Sequence, residues 1–142
     1  MNLLVLGGTR FVGRAIVEAA LANGHTLTIV HRGQTGDELF QGRAETLHAD
    51  RLDSLDVLKG RTWDACIDTC AYVPRAVRIA AGVLSGNVNR YLLISTISVY
   101  KDPVAGSDED APMIEEGDPS NEVVDSESYG FLKVLCEREV VA

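Results

Sequence analysis

Tyr129 and Lys133 stand four positions apart near the end of a chain of 142 residues. On a helix, positions i and i+4 share a face, so a phenol and an ammonium would lie side by side. A neighbouring cation favours the phenolate form and suits a tyrosine to give or take a proton near neutrality. Upstream, Ser95-Thr96-Ile97-Ser98-Val99-Tyr100 gathers hydroxyls at the end of an apolar run. At the carboxyl end of a strand, such hydroxyls sit where α/β sheets bind ligands, and one could hydrogen-bond a substrate carbonyl or alcohol. The same cluster could equally cap a loop.

These groups need a sheet to bring them together and a partner to react with, and the start of the chain suggests both. Leu3-Leu4-Val5-Leu6 runs into Gly7-Gly8-Thr9-Arg10-Phe11-Val12-Gly13, and a helical pattern follows at once. Strand, glycine turn and helix start form the cradle of a dinucleotide pyrophosphate. Gly7 would make the tight turn. Gly8 and Thr9 would bring backbone near phosphate, with Arg10, Phe11 and Val12 completing the cofactor-facing turn. Gly13 would let the helix sit close to the strand. Arg10 stands where glycine is usual, so its side chain points away from the pyrophosphate or meets it as a cation.

An NAD site places Asp or Glu after the second strand, to accept from the ribose 2′-hydroxyl. This chain has His31-Arg32 there. Arg32 offers a planar cation for a 2′-phosphate, which favours NADP over NAD; otherwise it stacks on adenine or lies in solvent. Asp50-Arg51, after the third strand, falls at the adenine edge, where Asp50 could accept from the exocyclic amine. A surface role for this pair is the other reading. Ala71, just past the fourth strand, would face the cofactor and leave room for it.

Strand and helix signals alternate along the chain. Strands are expected at 3–6, 26–30, 46–49, 65–68 and 91–95. A helix is expected over 11–23, with Val12, Ala15, Ile16, Ala19 and Ala20 as its buried stripe. A short helix is expected near 37–40, and another capped by Ser54 and running to Leu58. Helices over 74–84 and from Ser128 to the end follow. The pattern predicts an α/β fold: a Rossmann-type three-layer sandwich with a parallel sheet in the order 3-2-1-4-5.

Composition adds exclusions. Formal net charge is −8, yet residues 102–127 hold ten acidic residues and no Lys or Arg. The remainder carries thirteen basic against eleven acidic residues, so the acidity belongs to one solvated segment. That balance argues against nucleic acid as a partner. No apolar run is long enough to span a bilayer, and no basic segment precedes the first one, so neither membrane nor secretion is indicated. Cys66, Cys70 and Cys136 form no CxxC pair and no zinc spacing, and no metal site is expected. An odd cysteine count without a secretory signal fits a reducing cytoplasm.

Residues 7–13, 95–100 and 129–133, in this order and spacing, resemble the extended short-chain dehydrogenase/reductase superfamily. The nearest likeness is its NAD-dependent epimerase/dehydratase branch, over essentially the whole chain. The Gly-Gly-Thr-Arg-Phe variant also resembles a subgroup that includes chloroplast stem-loop RNA-binding proteins. The resemblance implies a Ser/Thr–Tyr–Lys triad and adds Ser95, Tyr129 and Lys133 to the cofactor-binding set. The family's Ser/Thr-x-x-Val-Tyr pattern assigns the hydroxyl to Thr96, with Ser95 and Ser98 as fallbacks. Tyr129 would exchange the proton, Lys133 would hold the nicotinamide ribose and tune Tyr129, and Thr96 would orient the substrate oxygen.

The implied activity is epimerisation, dehydration or reduction of a nucleotide sugar or similar small polar substrate. A non-catalytic dinucleotide- or RNA-binding regulator is the alternative. The retained triad favours the enzyme, and the acidic balance disfavours RNA. Family members run well beyond this length and add further strands and a substrate domain. Residues 1–142 are therefore expected to form an incomplete Rossmann domain of weak or no turnover. Its fifth strand would be an exposed apolar edge, which favours a homo-oligomer through that edge or through the C-terminal helix.

Overall fold

A computed structural model describes residues 1–36 and 38–141. Five parallel strands, β1 (Asn2–Leu6), β2 (Thr26–His31), β3 (Glu45–His48), β4 (Ala65–Asp68) and β5 (Tyr91–Leu93), line up in the order β3-β2-β1-β4-β5. This is the expected Rossmann-type order.

Alternation along the central strand builds two cores. Leu3 and Val5 point to one face and pack with Leu27, Ile29 and Phe40, together with Val17 and Ala20 of helix α1 (Phe11–Ala22). Leu4 and Leu6 point to the other face. There they meet Leu55, Leu58, Trp63 and Cys66, and Ala80 and Leu84 of helix α2 (Pro74–Leu84). Pro74 opens α2 at a position where its missing N–H costs nothing. The indole of buried Trp63 donates to Thr28 Oγ1 at 3.1 Å, so its polar atom is satisfied.

Helix α3 (Tyr129–Val141) packs on α2 through Ala71, Val73, Ala76, Val77, Leu132 and Cys136. Its first turn is buried nearly all round, because it also lies against the 3₁₀ turn Ile97–Val99. Gly130 makes that approach possible. A Cβ there would run into the carbonyl of Ser98, and Ile114 would stand 2.9 Å away. Ahead of the helix, the Asp125 carboxylate accepts from Ser128 N, and Ser128 Oγ donates to Val123 O at 2.6 Å.

Several local expectations change. The buried face of α1 is Gly13, Val17 and Ala20, so of the expected stripe Val12, Ala15, Ile16, Ala19 and Ala20 only Ala20 is buried. Val12 is exposed, because Gly13 is the residue that must lie against the β1 turn. Strand β3 begins one residue early, where the Glu45 carboxylate accepts from Thr28 Oγ1. Strand β5 stops at Leu93, although Ile94 N still donates to Asp68 O at 2.8 Å. Two residues on, the chain leaves the sheet as Thr96 caps the 3₁₀ turn.

The helix expected near 37–40 is instead a set of turns, such as Leu39 N to Gly36 O and Arg43 N to Phe40 O. Its Asp37 lies outside the described residues, as does Ala142. The Ser54-capped helix is a single 3₁₀ turn, Asp56–Leu58, with Asp56 N donating to Ser54 Oγ. The acidic segment 102–127 runs over the surface without helix or strand, apart from a bridge between Tyr100 and Met113.

Two glycines in helices make a test of this packing. Gly130→Ala is expected to lose about 1–3 kcal/mol through overpacking. Gly82→Ala in α2, where nothing lies within 4 Å of a new Cβ, is expected to gain up to about 1 kcal/mol. Urea unfolding of both variants measures this. Equal effects would contradict the tight contact between α3 and residue 98.

Candidate cofactor and active site

The turn after β1 has no room for side chains. Gly7 and Gly8 adopt φ of 99° and 93°, conformations that favour glycine. A Cβ on Gly7 would strike Thr69 Oγ1, with Cys70 Sγ 3.3 Å away. On Gly8 it would lie 3.1 Å from Val17 and Ile29. On Gly13 it would lie 2.9 Å from both Gly8 N and Thr69 Oγ1. Turn, helix and the residue after β4 are thus pressed together. Phe11, though not glycine, has φ of 43° and is 92% exposed.

Helix α1 starts from Arg10 with no side-chain cap and no acidic residue in its first turn. Its first N–H groups and the positive end of its dipole are therefore left for an outside acceptor. Bare backbone in front of an uncapped helix start suits an anion, and the cradle fits the pyrophosphate of a dinucleotide. Thr9 is half-buried beside this start, and Arg10 and Val12 are exposed.

Past β2, the His31 imidazole accepts from Gly33 N at 3.1 Å, and its ring meets that of His48 edge-on at 5.2 Å. Arg32, between them in the chain, is exposed. Asp50 is exposed as well and ties its own loop by accepting from Leu52 N. Arg51 is not where the adenine-edge reading puts it. Its guanidinium turns inward and forms a bidentate pair with the fully buried Asp68, Nη2 to Oδ2 at 2.6 Å. The partner decides this, because a carboxylate at the end of β4 needs a cation once buried. Burial alone would lower the Arg51 pKa; the pair with Asp68 more than reverses that and raises it.

Beyond β4, Thr69 Oγ1 donates to Leu6 O at 2.9 Å and walls the glycine turn. Ala71 is wholly buried, so its side chain packs into the α2–α3 core and does not face open space. Its carbonyl takes part in the site instead. Lys133 Nζ donates to Ala71 O at 2.9 Å and to Ile94 O at 2.8 Å. Lys133 is only 2% exposed, and burial lowers its pKa. One helical turn earlier, Tyr129 is half-buried, its ring tilted against Tyr72 with centroids 6.4 Å apart. Burial, with smaller effects of Cys70 and Tyr129, pushes the Tyr72 phenol up, so it stays neutral.

Thr96 Oγ1 accepts from Ser98 N at 3.1 Å, and its hydroxyl pairs with Ser98 Oγ at 3.2 Å. Ser95 Oγ donates to the Glu137 carboxylate of α3. Thr69, Tyr72, Gly130 and Glu137 were not expected at the site. Only Gly130 carried a signal, as a glycine inside a helical pattern marks close approach.

Among the described residues no cluster of His, Cys, Asp and Glu suits a metal ion, and no helix is long and apolar enough to cross a membrane. A cavity of about 630 Å³ opens at the opposite end of the sheet, between Asn2, Thr26, Glu45 and Arg61. Arg61 is already paired there with Glu45. The chemically equipped residues stand at the carboxyl ends of β1, β4 and β5, where α/β sheets take their ligands.

A model of the NAD dependent epimerase/dehydratase family matches residues 3–86. Phenylcoumaran benzylic ether reductase Betv6 of Betula pendula is 32% identical over 103 residues, which cover 63% of this chain and 33% of that protein. UDP-glucose 4-epimerase from Bifidobacterium longum, solved with NAD+ and UDP, superposes with a TM-score of 0.77 at 16% identity, covering 99% of this chain and 48% of that one. The Bordetella bronchiseptica enzyme WbmG, solved with NAD, gives 0.75 at 19% identity, covering 99% and 49%. The chain thus spans about a third of the curated relative and about half of the solved ones. The family match runs from β1 through α2 and includes the glycine turn, and the chain belongs to the NAD-dependent epimerase/dehydratase family.

Proposed function

We propose that this chain binds NADP and provides the proton-transfer groups of an epimerase, dehydratase or reductase acting on a nucleotide sugar or similar small polar substrate. The observation that carries the reading is the glycine turn: a Cβ would clash at Gly7 and Gly13 and be crowded at Gly8, in front of a helix start left uncapped. Solved relatives with NAD and UDP support a nicotinamide dinucleotide and a nucleotide-linked substrate; the choice of NADP rests on Arg32 alone. A bound nicotinamide supplies hydride exchange with the substrate carbon.

The chain's own residues supply the rest. The N–H groups at the start of α1 hold the pyrophosphate. Arg32 pairs with the 2′-phosphate, and Asp50 accepts from the adenine amine. The Tyr129 phenol exchanges a proton with the substrate hydroxyl or carbonyl. Lys133 spends two of its three N–H donors on the carbonyls of Ala71 and Ile94 and keeps one for a ribose hydroxyl or for Tyr129. Those carbonyls also fix the ammonium beneath the site. Thr96, held by Ser98, orients the substrate oxygen.

Strand β5 ends the sheet with Leu92 55% exposed, which supports self-association along that edge. The three free thiols are consistent with a reducing cytoplasm.

Calorimetry with NADPH and NADH tests the cofactor assignment. NADPH is expected to bind tighter, and Arg32→Glu to cost NADPH at least about tenfold in Kd while sparing NADH. Tighter NADH binding by the parent would contradict the role of Arg32, and binding of neither would contradict the whole reading. In a protein that turns over, Tyr129→Phe is expected to lower kcat by about a hundredfold or more with NADPH affinity kept. Unchanged turnover would remove Tyr129 from the chemistry. Light scattering at micromolar concentration is expected to show dimers or larger species; a strict monomer would contradict association through β5.

A further inference from the structure

Arg51 does a task that its position in the chain does not announce. It leaves the loop after β3, on one side of β1, and crosses to the end of β4 on the other side. There it holds Asp68 in two hydrogen bonds and also donates to Ala76 O at 3.1 Å and to Cys70 Sγ at 3.2 Å. Asp68 in turn accepts from the Tyr91 phenol and from Cys70 N at 3.1 Å. One guanidinium therefore joins the loop after β3, the end of β4, residue 70 and the first turn of α2. From the far side, Lys133 holds the next carbonyl, that of Ala71.

The clamped segment, 69–71, is the one that presses on the glycine turn. Thr69 Oγ1 and Cys70 Sγ are the atoms that a Cβ on Gly7 would meet. The arrangement also keeps a cost. Arg51 Nε is a buried side-chain nitrogen without a hydrogen-bond partner. A group retained only for stability is readily replaced by apolar packing, since buried ion pairs add little net stability.

We propose that Arg51, acting through Asp68, is a positioning residue for the dinucleotide: it fixes segment 69–71 against the glycine turn before the ligand arrives. The proposal rests on reading that turn as the dinucleotide cradle. A loop fixed during folding need not be ordered during binding, so affinity is gained by preorganisation. The effect should fall mainly on the nicotinamide half and its phosphate, because 2′,5′-ADP carries only the adenine-side phosphate of the pyrophosphate. The adenosine side lies over β2 and β3, away from β4.

The test compares two ligands, NADPH and 2′,5′-ADP, on the parent, on Arg51→Lys and on the apolar replacement Arg51→Met with Asp68→Leu and Tyr91→Phe. Calorimetry gives Kd, and circular dichroism checks folding. The apolar replacement is expected to weaken NADPH at least about tenfold and 2′,5′-ADP less than about threefold. Arg51→Lys keeps the charge and loses the fork, and is expected to weaken NADPH at least about threefold with the same sparing of 2′,5′-ADP. Arg51→Lys decides the matter alone if the apolar replacement does not fold. Unchanged NADPH affinity, or equal weakening of both ligands, would overturn the proposal. Failure of the parent to bind NADPH would instead overturn the cradle reading on which it rests.

Discussion

The structure depends on one steric constraint: the close approach of three backbones at the carboxyl end of β1. Gly13 meets Gly8 and Thr69, Gly7 meets Thr69 and Cys70, and Gly8 meets side chains of β1, β2 and α1, so that a Cβ would clash at Gly7 and Gly13 and be crowded at Gly8. Helix α1 first meets the sheet there, at Gly13, and its buried face continues through Val17 and Ala20. The same crowding leaves the turn bare and the helix start uncapped. Packing and ligand chemistry thus share a cause. A side chain at these positions would push the helix off the sheet and also fill the space an anion needs.

A second constraint gathers the chemical groups. Buried charges must be paired or well hydrogen-bonded. Asp68 is met by Arg51, Tyr91 and a backbone N–H; Lys133 is met by two carbonyls from different loops. Each buried charge therefore ties together elements far apart in sequence. Asp68 and Arg51 link the β3 side to the β4 side, while Lys133 links α3 to the ends of β4 and β5. The hydroxyls of Thr96 and the phenol of Tyr129 are presented on this braced framework, with Gly130 drawing α3 in to residue 98.

Much of this was legible in the sequence. Apolar runs marked β1 and β4, β-branched residues marked β2, and glycine or proline punctuation set the limits of α1 and α2. Spacing alone put the glycine turn at a strand end and Tyr129 with Lys133 on one helical face, whereas only the family resemblance singled out Thr96 from Ser95 and Ser98. Less legible was whatever depends on long-range partners. Nothing local in Asp50-Arg51 says that one side chain stays out while the next turns in to Asp68. Ala71 reads as a small residue at a ligand's edge until α3 is seen to cover it. The stripe on α1 was misplaced because alanines are apolar on either face, and only the contact at Gly13 selects one. Strand β5 came out short because the Thr96 cap competes with the ladder.

The central claim is that a dinucleotide lies across the glycine turn and the ends of β4 and β5. Amide NMR during titration with NADPH tests it most directly. The account predicts saturable shifts at Gly7, Gly8, Gly13, Arg32 and residues 69–71, with the Asn2–Glu45–Arg61 cavity at the other end of the sheet unaffected. Shifts confined to that cavity, or none at the glycine turn at saturating ligand, would contradict it.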